Sequence, residues 1–449
     1  MEVVYLLTAE IPSEFHCAQI TTFHIQHVTC KLKKTHMNKL TIAIIFLILC
    51  TSCRQEKSNE TARIDKTELD KRLTKKLEQA YKTDSIKGFS VAIVDENGLV
   101  YKNGFGFSDL DTTKIYSSKT IQPIASISKT LIGISLIKAE ELGLLSFKDP
   151  INKFLPFKVA NPQFPNDEIL IEHLAYHTSS IIDLEDIYFN QYFFKKMPIE
   201  DNDFETYYSI FRKPEEKQSL ENYLKEAFLE NEIYEKLPFS DKKPGNEREY
   251  SNIGSDLCAL IIEKASKMDF KDFTKKHILS PLMMNSSSWS LSDTNSEIQS
   301  RLFVSIDMML TPYTTNSYPS GWFVTSSEDL GLFLTELIKG YNGNGSLLTN
   351  AGFKKFYKKQ TYNEKSYGCF IEYTDDWMRI SDTIVGHNGS EFGVFSGMYF
   401  NPKRNTGKII ISNTDTDFFD KGQIWGEITT VWKSLIEYEI ELNSGKASR

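Results

Sequence analysis

The chain has 449 residues, is 40% hydrophobic and 25% charged, and carries a formal charge of −8. That length leaves ample core for one large α/β domain or two ordinary ones, and the composition is that of a folded globular protein. No dense Lys/Arg run occurs in the body of the sequence, which argues against a nucleic-acid partner, because phosphate backbones need a concentrated basic face.

The elements begin only after an atypical N-terminus. Residues 37–53 read MNKLTIAIIFLILCTSC: a basic flank at Lys39, an apolar run from Leu40 to Cys50, then small residues before Cys53. The run is too short to span a bilayer, which takes about 20 residues, and it matches the apolar region of a secretory signal. Small residues just before a cysteine resemble a bacterial lipoprotein processing site. Residues 37–52 are therefore expected to be a signal peptide and Cys53 the lipidated first residue of an exported, membrane-anchored protein, although Cys50 stands where an aliphatic residue is usual. Residues 1–36 read as an upstream start outside the fold, and 53–68 as a polar tether. Of six cysteines only Cys258 and Cys369 lie beyond this region. Two isolated cysteines make neither a disulfide framework nor a metal site, and they read as buried thiols.

A domain over 69–440 follows. Leu69, Leu73, Leu77 and Tyr81 recur at helical spacing. Phe89 to Val94, the turn residues Glu96-Asn97-Gly98, and Leu99 to Tyr101 read as a hairpin. QPIASISKTLIGISLIKAEELG predicts a helix from about Ser126 to Leu142, ended by Gly143. The region 150–315 reads as a helical subdomain, within which the charged, aromatic stretch 183–245 looks like an insertion or lid. Ser326 or Ser327 caps a helix bearing Leu330, Phe333, Leu334 and Leu337. Two strands around Asn401-Pro402 and a helix over about 422–438 close the chain. Strands at both ends with helices between suggest one sheet built from both termini.

Three short motifs carry possible chemistry. Ser126 and Lys129, at i and i+3, project from one face of a helix, so the amine can reach the hydroxyl. A free lysine has a pKa of about 10.4, and desolvation among Ile124, Ile127 and Leu131 is expected to lower it. The same pattern recurs at Ser135/Lys138 and Ser240/Lys243, so spacing alone leaves Ser126 open as a plain helix cap. Tyr250-Ser251-Asn252 offers a phenol to relay a proton and an amide to bind a carbonyl. His387-Asn388-Gly389 places a donor or cation beside a strand edge that a substrate backbone can approach. His173 and His177 have zinc-compatible spacing, but no third ligand accompanies them and no metal is expected.

In combination and in this order, the motifs resemble the serine β-lactamase and penicillin-recognising family, in the branch of class C β-lactamases, DD-peptidases and related esterases. LLSFKDPINKFLP, ILIEHLAYHTSSI, SGWFVTSSEDLGLFL and GHNGSEFGVFSGMYF resemble that family's framework segments, and the likeness spans about residues 70–438. The resemblance implies an α/β (α+β) fold: an antiparallel sheet from both termini, flanked by helices, with an inserted helical subdomain. It implies a cofactor-free serine hydrolase that forms an acyl-enzyme on an amide, peptide or ester. Ser126 would be the nucleophile, Lys129 its base partner and Tyr250 the proton relay. Asn252, His387, Gly389 and Ser390 would bind substrate, the N–H groups of Ser126 and Ser390 forming the oxyanion hole. His387 stands where class C β-lactamases carry lysine, which implies a weaker, pH-dependent cation and poor β-lactam turnover. Asn388, Ser180 and Trp322 are further departures, the last two expected to reshape the cleft. A non-catalytic or slowly acylated sensor of the same fold is the alternative.

Overall fold

The computed structural model describes residues 65–81, 85–197, 210–229, 236–375, 377, 382–416 and 421–446. The expected signal peptide, Cys53 and most of the tether lie outside these residues. A helix, α1 (Lys66–Tyr81), already begins within the expected tether, with Leu69, Leu73 and Leu77 on its buried face.

The hairpin forms as β1 (Gly88–Asp95) and β2 (Gly98–Gly106). Further along the chain lie α2 (Ser128–Glu141), α3 (Asn252–Ser266), α4 (Ser327–Tyr341) and the short strands β3 (Gln360–Tyr362), β4 (Lys365–Gly368) and β5 (Ile371–Thr374). Strands β6 (Ile384–Glu391), β7 (Val394–Asn401) and β8 (Thr406–Ser412) precede a final helix, α5 (Lys421–Lys446). The eight strands form one antiparallel sheet in the order β2-β1-β8-β7-β6-β5-β4-β3. Phe89 pairs with Ser412 and Asp95 with Thr406, so both ends of the chain do build the sheet.

Strand alternation divides the core. Phe89, Val91 and Ile93 of β1 pack with Leu73 and Leu77 of α1 and with Ile428, Val431, Trp432 and Leu435 of α5. Ala92 and Val94 face the other way, onto Leu330, Phe333 and Leu334 of α4 and the large core that continues into the helical region. Ser326 caps α4 by accepting from the Asp329 N–H at 3.1 Å. Helix α2 is buried on nearly all sides, which explains why its sequence lacks a clean polar face.

Three expectations change. The helix expected from Ser126 begins as a 3₁₀ turn, Ala125–Ile127, and becomes α-helical only at Ser128; neither flanking cap residue makes a side-chain cap bond. The described parts of 183–245 are not a detached lid: Tyr192, Phe193, Phe194, Phe211, Tyr223 and Leu224 are buried. Its strand Tyr192–Phe194 pairs with Tyr313–Thr315. The segment is aromatic because it packs. Trp322 is buried against Tyr313, ring centroids 4.7 Å apart, and belongs to that core rather than to the cleft. Ser180 takes a left-handed φ of 61°, a conformation that costs a residue with Cβ but not glycine, and its Oγ accepts from Asn161 Nδ2 at 3.0 Å. Cys258 and Cys369 are buried free thiols, as expected.

Candidate active site

The turn that carries Ser126 is pinned from two sides. Ala125 is held at a left-handed φ of 47° just before Ser126, backbone strain of the kind that persists only where surroundings enforce it. Ser128 Oγ donates to Ala125 O at 2.6 Å and accepts from the Phe323 N–H at 3.1 Å. Ser396 Oγ, on β7, donates to Ile124 O at 2.7 Å. These two serines lock the turn from opposite elements, and Ser126 is the one left facing the cleft.

Around Ser126 the expected residues converge. Lys129, fully buried, places its Nζ within hydrogen-bond distance of Ser126 Oγ at 3.1 Å, Asn252 Oδ1 at 2.6 Å and Ser320 O at 2.7 Å. The Tyr250 hydroxyl donates to Ser126 Oγ at 2.9 Å. Tyr250 directly precedes Ser251, which caps α3 by accepting from the Gly254 N–H at 3.0 Å. The start of α3 therefore delivers both the phenol and the Asn252 amide.

Two carboxylates that sequence reasoning missed, the half-buried Asp183 and the buried Asp256, hold this wall. Asp183 accepts from the backbone N–H groups of Asn252 (2.8 Å) and Ile253 (3.1 Å) and from Asn252 Nδ2 (2.8 Å). That last bond turns Asn252 Oδ1 toward Lys129. Burial raises the Asp183 carboxyl, against the pull of those donors. Asp256 accepts from Ser317 Oγ and from the Ser320 N–H, fixing the carbonyl that receives Lys129. Burial pushes Asp256 up to about 7. Each contact joins residues more than 60 positions apart in sequence, so no local spacing signals them.

Strand β6 forms the opposite wall. β5 pairs with it only from Ile384 to Gly386; beyond that the strand turns to Ser126. A Cβ at Gly389 would come within 2.7 Å of both Ser126 N and Ile124 O, so glycine is required for this approach. Ser390 follows at the cavity that also exposes Ser126.

His387 corrects the sequence expectation. Its Nδ1 bonds the Asn388 carbonyl, which can only accept, so Nδ1 carries a hydrogen, and in the neutral ring Nε2 is then an acceptor. Burial first, and then the Lys129 charge, push its pKa down to about 3. That shift favours the neutral ring at ordinary pH and disfavours His387 as the cation for a carboxylate. The cation on this side is Arg248, whose guanidinium lies 3.6 Å over the Tyr367 ring and 6.0 Å from that of Tyr250. Its buried Nε has no hydrogen-bond partner among the described residues.

The two histidines at zinc-like spacing have other work. The helix there is only Ile171–Ala175, and His177 lies past its end at φ 56°. His173 Nδ1 accepts from the Leu170 N–H and His177 Nδ1 from the Ser251 N–H, both at 3.2 Å. His177 also stacks on Tyr250, ring centroids 4.7 Å apart, so it braces the phenol.

A hydroxyl flanked by a buried lysine amine and a tyrosine phenol, beside a glycine-bearing strand, is an acyl-transfer arrangement. The family model for beta-lactamase matches residues 73–428. The chain belongs to the beta-lactamase family. Among curated proteins this family member is 27% identical over 345 residues to Protein flp of Staphylococcus aureus strain MW2, covering 75% of this chain but 61% of that protein. It thus spans about three-fifths of that relative's length. Among solved structures, the octameric penicillin-binding protein homologue from Pyrococcus abyssi aligns with a TM-score of 0.62 at 19% identity, over 82% of this chain and 78% of that one. The beta-lactamase/D-alanine carboxypeptidase from Pseudomonas syringae aligns with a TM-score of 0.59 at 16% identity, over 82% and 99%. These likenesses establish the β-lactamase/transpeptidase-like fold.

Proposed function

We propose that this protein is a serine hydrolase that splits an amide, peptide or ester through an acyl group carried on Ser126. The observation that carries the reading is the pair of bonds at Ser126 Oγ, 3.1 Å from Lys129 Nζ and 2.9 Å from the Tyr250 hydroxyl. In acylation the Ser126 Oγ–carbon bond forms and the leaving amine or alcohol departs. The serine proton passes through the Lys129–Tyr250 pair to that leaving group. Water then attacks the ester, returns a proton to Ser126 Oγ through the same pair and releases the acid. Lys129 Nζ lies 5.0 Å from the Tyr250 ring centroid. Together with Arg248 it stabilises the negative charge that develops on the phenol oxygen as this hydroxyl passes its own proton to the leaving group, and the serine proton then restores the phenol. The Ser126 and Ser390 N–H groups serve as the oxyanion hole, a role supported by the close approach at Gly389.

Selection of a carboxylate-bearing leaving group falls to Arg248 rather than to neutral His387, whose Nε2 offers an acceptor. Poor β-lactam turnover is retained as an expectation on that ground. The sequence of residues 37–53 supports export and a lipid anchor on Cys53; detergent-phase partition lost in Cys53→Ala tests it.

A turnover panel of simple esters, D-aminoacyl peptides and β-lactams, run against Ser126→Ala, tests the enzymatic reading. Steady turnover lost in the variant supports it. A stoichiometric burst with no steady state would instead favour a slowly acylated sensor.

A further inference from the structure

Strand β6 carries a carboxylate into the cavity of the nucleophile. Residues 387, 389 and 391 share one face of the strand, and Glu391 joins Ser126, Tyr188, Ser317, Gly321 and Ser390 around a space of about 30 Å³. The Tyr192 hydroxyl bonds both Glu391 oxygens, at 3.0 and 2.9 Å, and the Phe392 N–H donates to Oε1 at 3.0 Å. An ionised carboxylate accepts about four hydrogen bonds, so capacity remains toward the cavity. A Cβ at Gly321 would lie 3.9 Å from Oε2, and this glycine leaves that side of the carboxylate open.

The electrostatics of the cavity are one-sided. Among the described residues no Lys or Arg forms an ion pair with Glu391. The cation that does act on it is Lys129, whose donors are already taken by Ser126, Asn252 and Ser320. Asp415 adds a second negative charge nearby, and burial raises the Glu391 carboxyl to about 7. Glu391 is half-buried, a carboxylate taken partly out of water gains from a nearby cation, and here the space for one opens beside Ser126.

We infer that this cavity is the subsite for a protonated amine on the acyl half of the substrate, with Glu391 as its counter-ion. The favoured donors are aminoacyl amides, esters or peptides whose free amino group lies next to the scissile carbonyl. A space of about 30 Å³ beside Ser126 is enough to admit an ammonium group in place of water. The inference rests on the Ser126 acyl-transfer reading and names what that site selects. The 183–245 segment has a part in it: Tyr188 lines the subsite and Tyr192 holds the Glu391 carboxylate.

The test compares kcat/KM for alanine p-nitroanilide, in both configurations, with its N-acetyl counterpart at neutral pH. Wild type, Glu391→Gln and Glu391→Asp are each titrated with a fluorophosphonate at Ser126 so that rates refer to competent sites. The wild type is expected to favour the free amine. Glu391→Gln should cut that preference about 10- to 100-fold, the worth of a charged hydrogen bond, and Glu391→Asp should restore part of it. A wild type indifferent to acetylation overturns the subsite, as does a preference that survives Glu391→Gln, which would make Glu391 a protonated partner of Tyr192. Equal losses on both substrates with accumulating acyl-enzyme also overturn it, marking Glu391 as a base for deacylation. If wild type neither labels at Ser126 nor hydrolyses any ester, the acyl-transfer reading itself falls, and the subsite with it.

Discussion

The two walls that face Ser126 are built on different terms. On the helical wall the polar groups around Lys129 have fixed partners: Lys129 meets three oxygens, Asn252 is held by Asp183, and Asp256 fixes the Ser320 carbonyl. On the strand wall, His387 keeps an acceptor and Glu391 keeps acceptor capacity toward the cavity. A closed network positions atoms for one reaction. An under-satisfied wall is where a substrate can supply the missing partners. On the proposed function, chemistry would lie with the helical wall and selection with the strand wall of a single cleft.

If that division holds, substitutions in the helical wall should lower turnover on every substrate. Lys129→Ala and Tyr250→Phe should each cost about 10²- to 10⁴-fold in kcat. Their effects should not add, because both serve one proton path; a double variant that loses the product of the two factors would separate them. Asp183→Asn comes next. It keeps the shape but weakens acceptance from two backbone N–H groups and the Asn252 amide, at a cost of about 1–3 kcal/mol in stability. Activity should fall for amine and neutral substrates alike, read by thermal unfolding beside kcat. A loss confined to one substrate class would move Asp183 into selection.

The strand wall should respond by substrate class. Arg248→Ala is expected to lower kcat/KM about tenfold for donors with a carboxylate in the leaving half and far less for neutral esters. His387 should impose no descending limb near pH 6.5 on either class, because its folded-state pKa of about 3 keeps the ring neutral there. The unfolded ring titrates near 6.5, so the unfolded chain binds the extra proton between those values. Stability from this residue is therefore full above about 6.5 and declines as pH falls toward 3. A limb near 6.5 on anionic substrates alone would restore the imidazolium. The smallest effect is expected at Ser180, where glycine relieves the left-handed backbone but forfeits the bond from Asn161. The net change should stay within about 1 kcal/mol by chemical denaturation.

Legibility in the sequence follows the same line. Ser126 and Lys129 sit three residues apart and Tyr250 and Asn252 two apart, so local geometry carries most of the helical wall into the sequence. The sheet from both termini was readable because β1 and β8 are short apolar runs at opposite ends of the chain. What local pattern could not carry was long-range. The protonation of His387 depends on burial and on Lys129, 258 positions away in sequence. Asp183, Asp256 and Glu391 each act on residues that only the fold brings near. The helix at Ser126 opens as a 3₁₀ turn because Ser128 and Ser396 tie the backbone there, which periodicity does not encode. The aromatic stretch after 183 looked detachable because its partners, around Tyr313 and Phe392, come more than 100 residues later.

The most direct measurement is the site of covalent capture. Intact-mass analysis after treatment with a fluorophosphonate is expected to give one adduct per chain, which peptide mapping assigns to Ser126. The adduct should be lost in Ser126→Ala and kept in Ser135→Ala, whose buried Oγ is committed to Leu131 O at 2.7 Å. Labelling at another serine, or an adduct that persists in Ser126→Ala, would contradict Ser126 as the nucleophile.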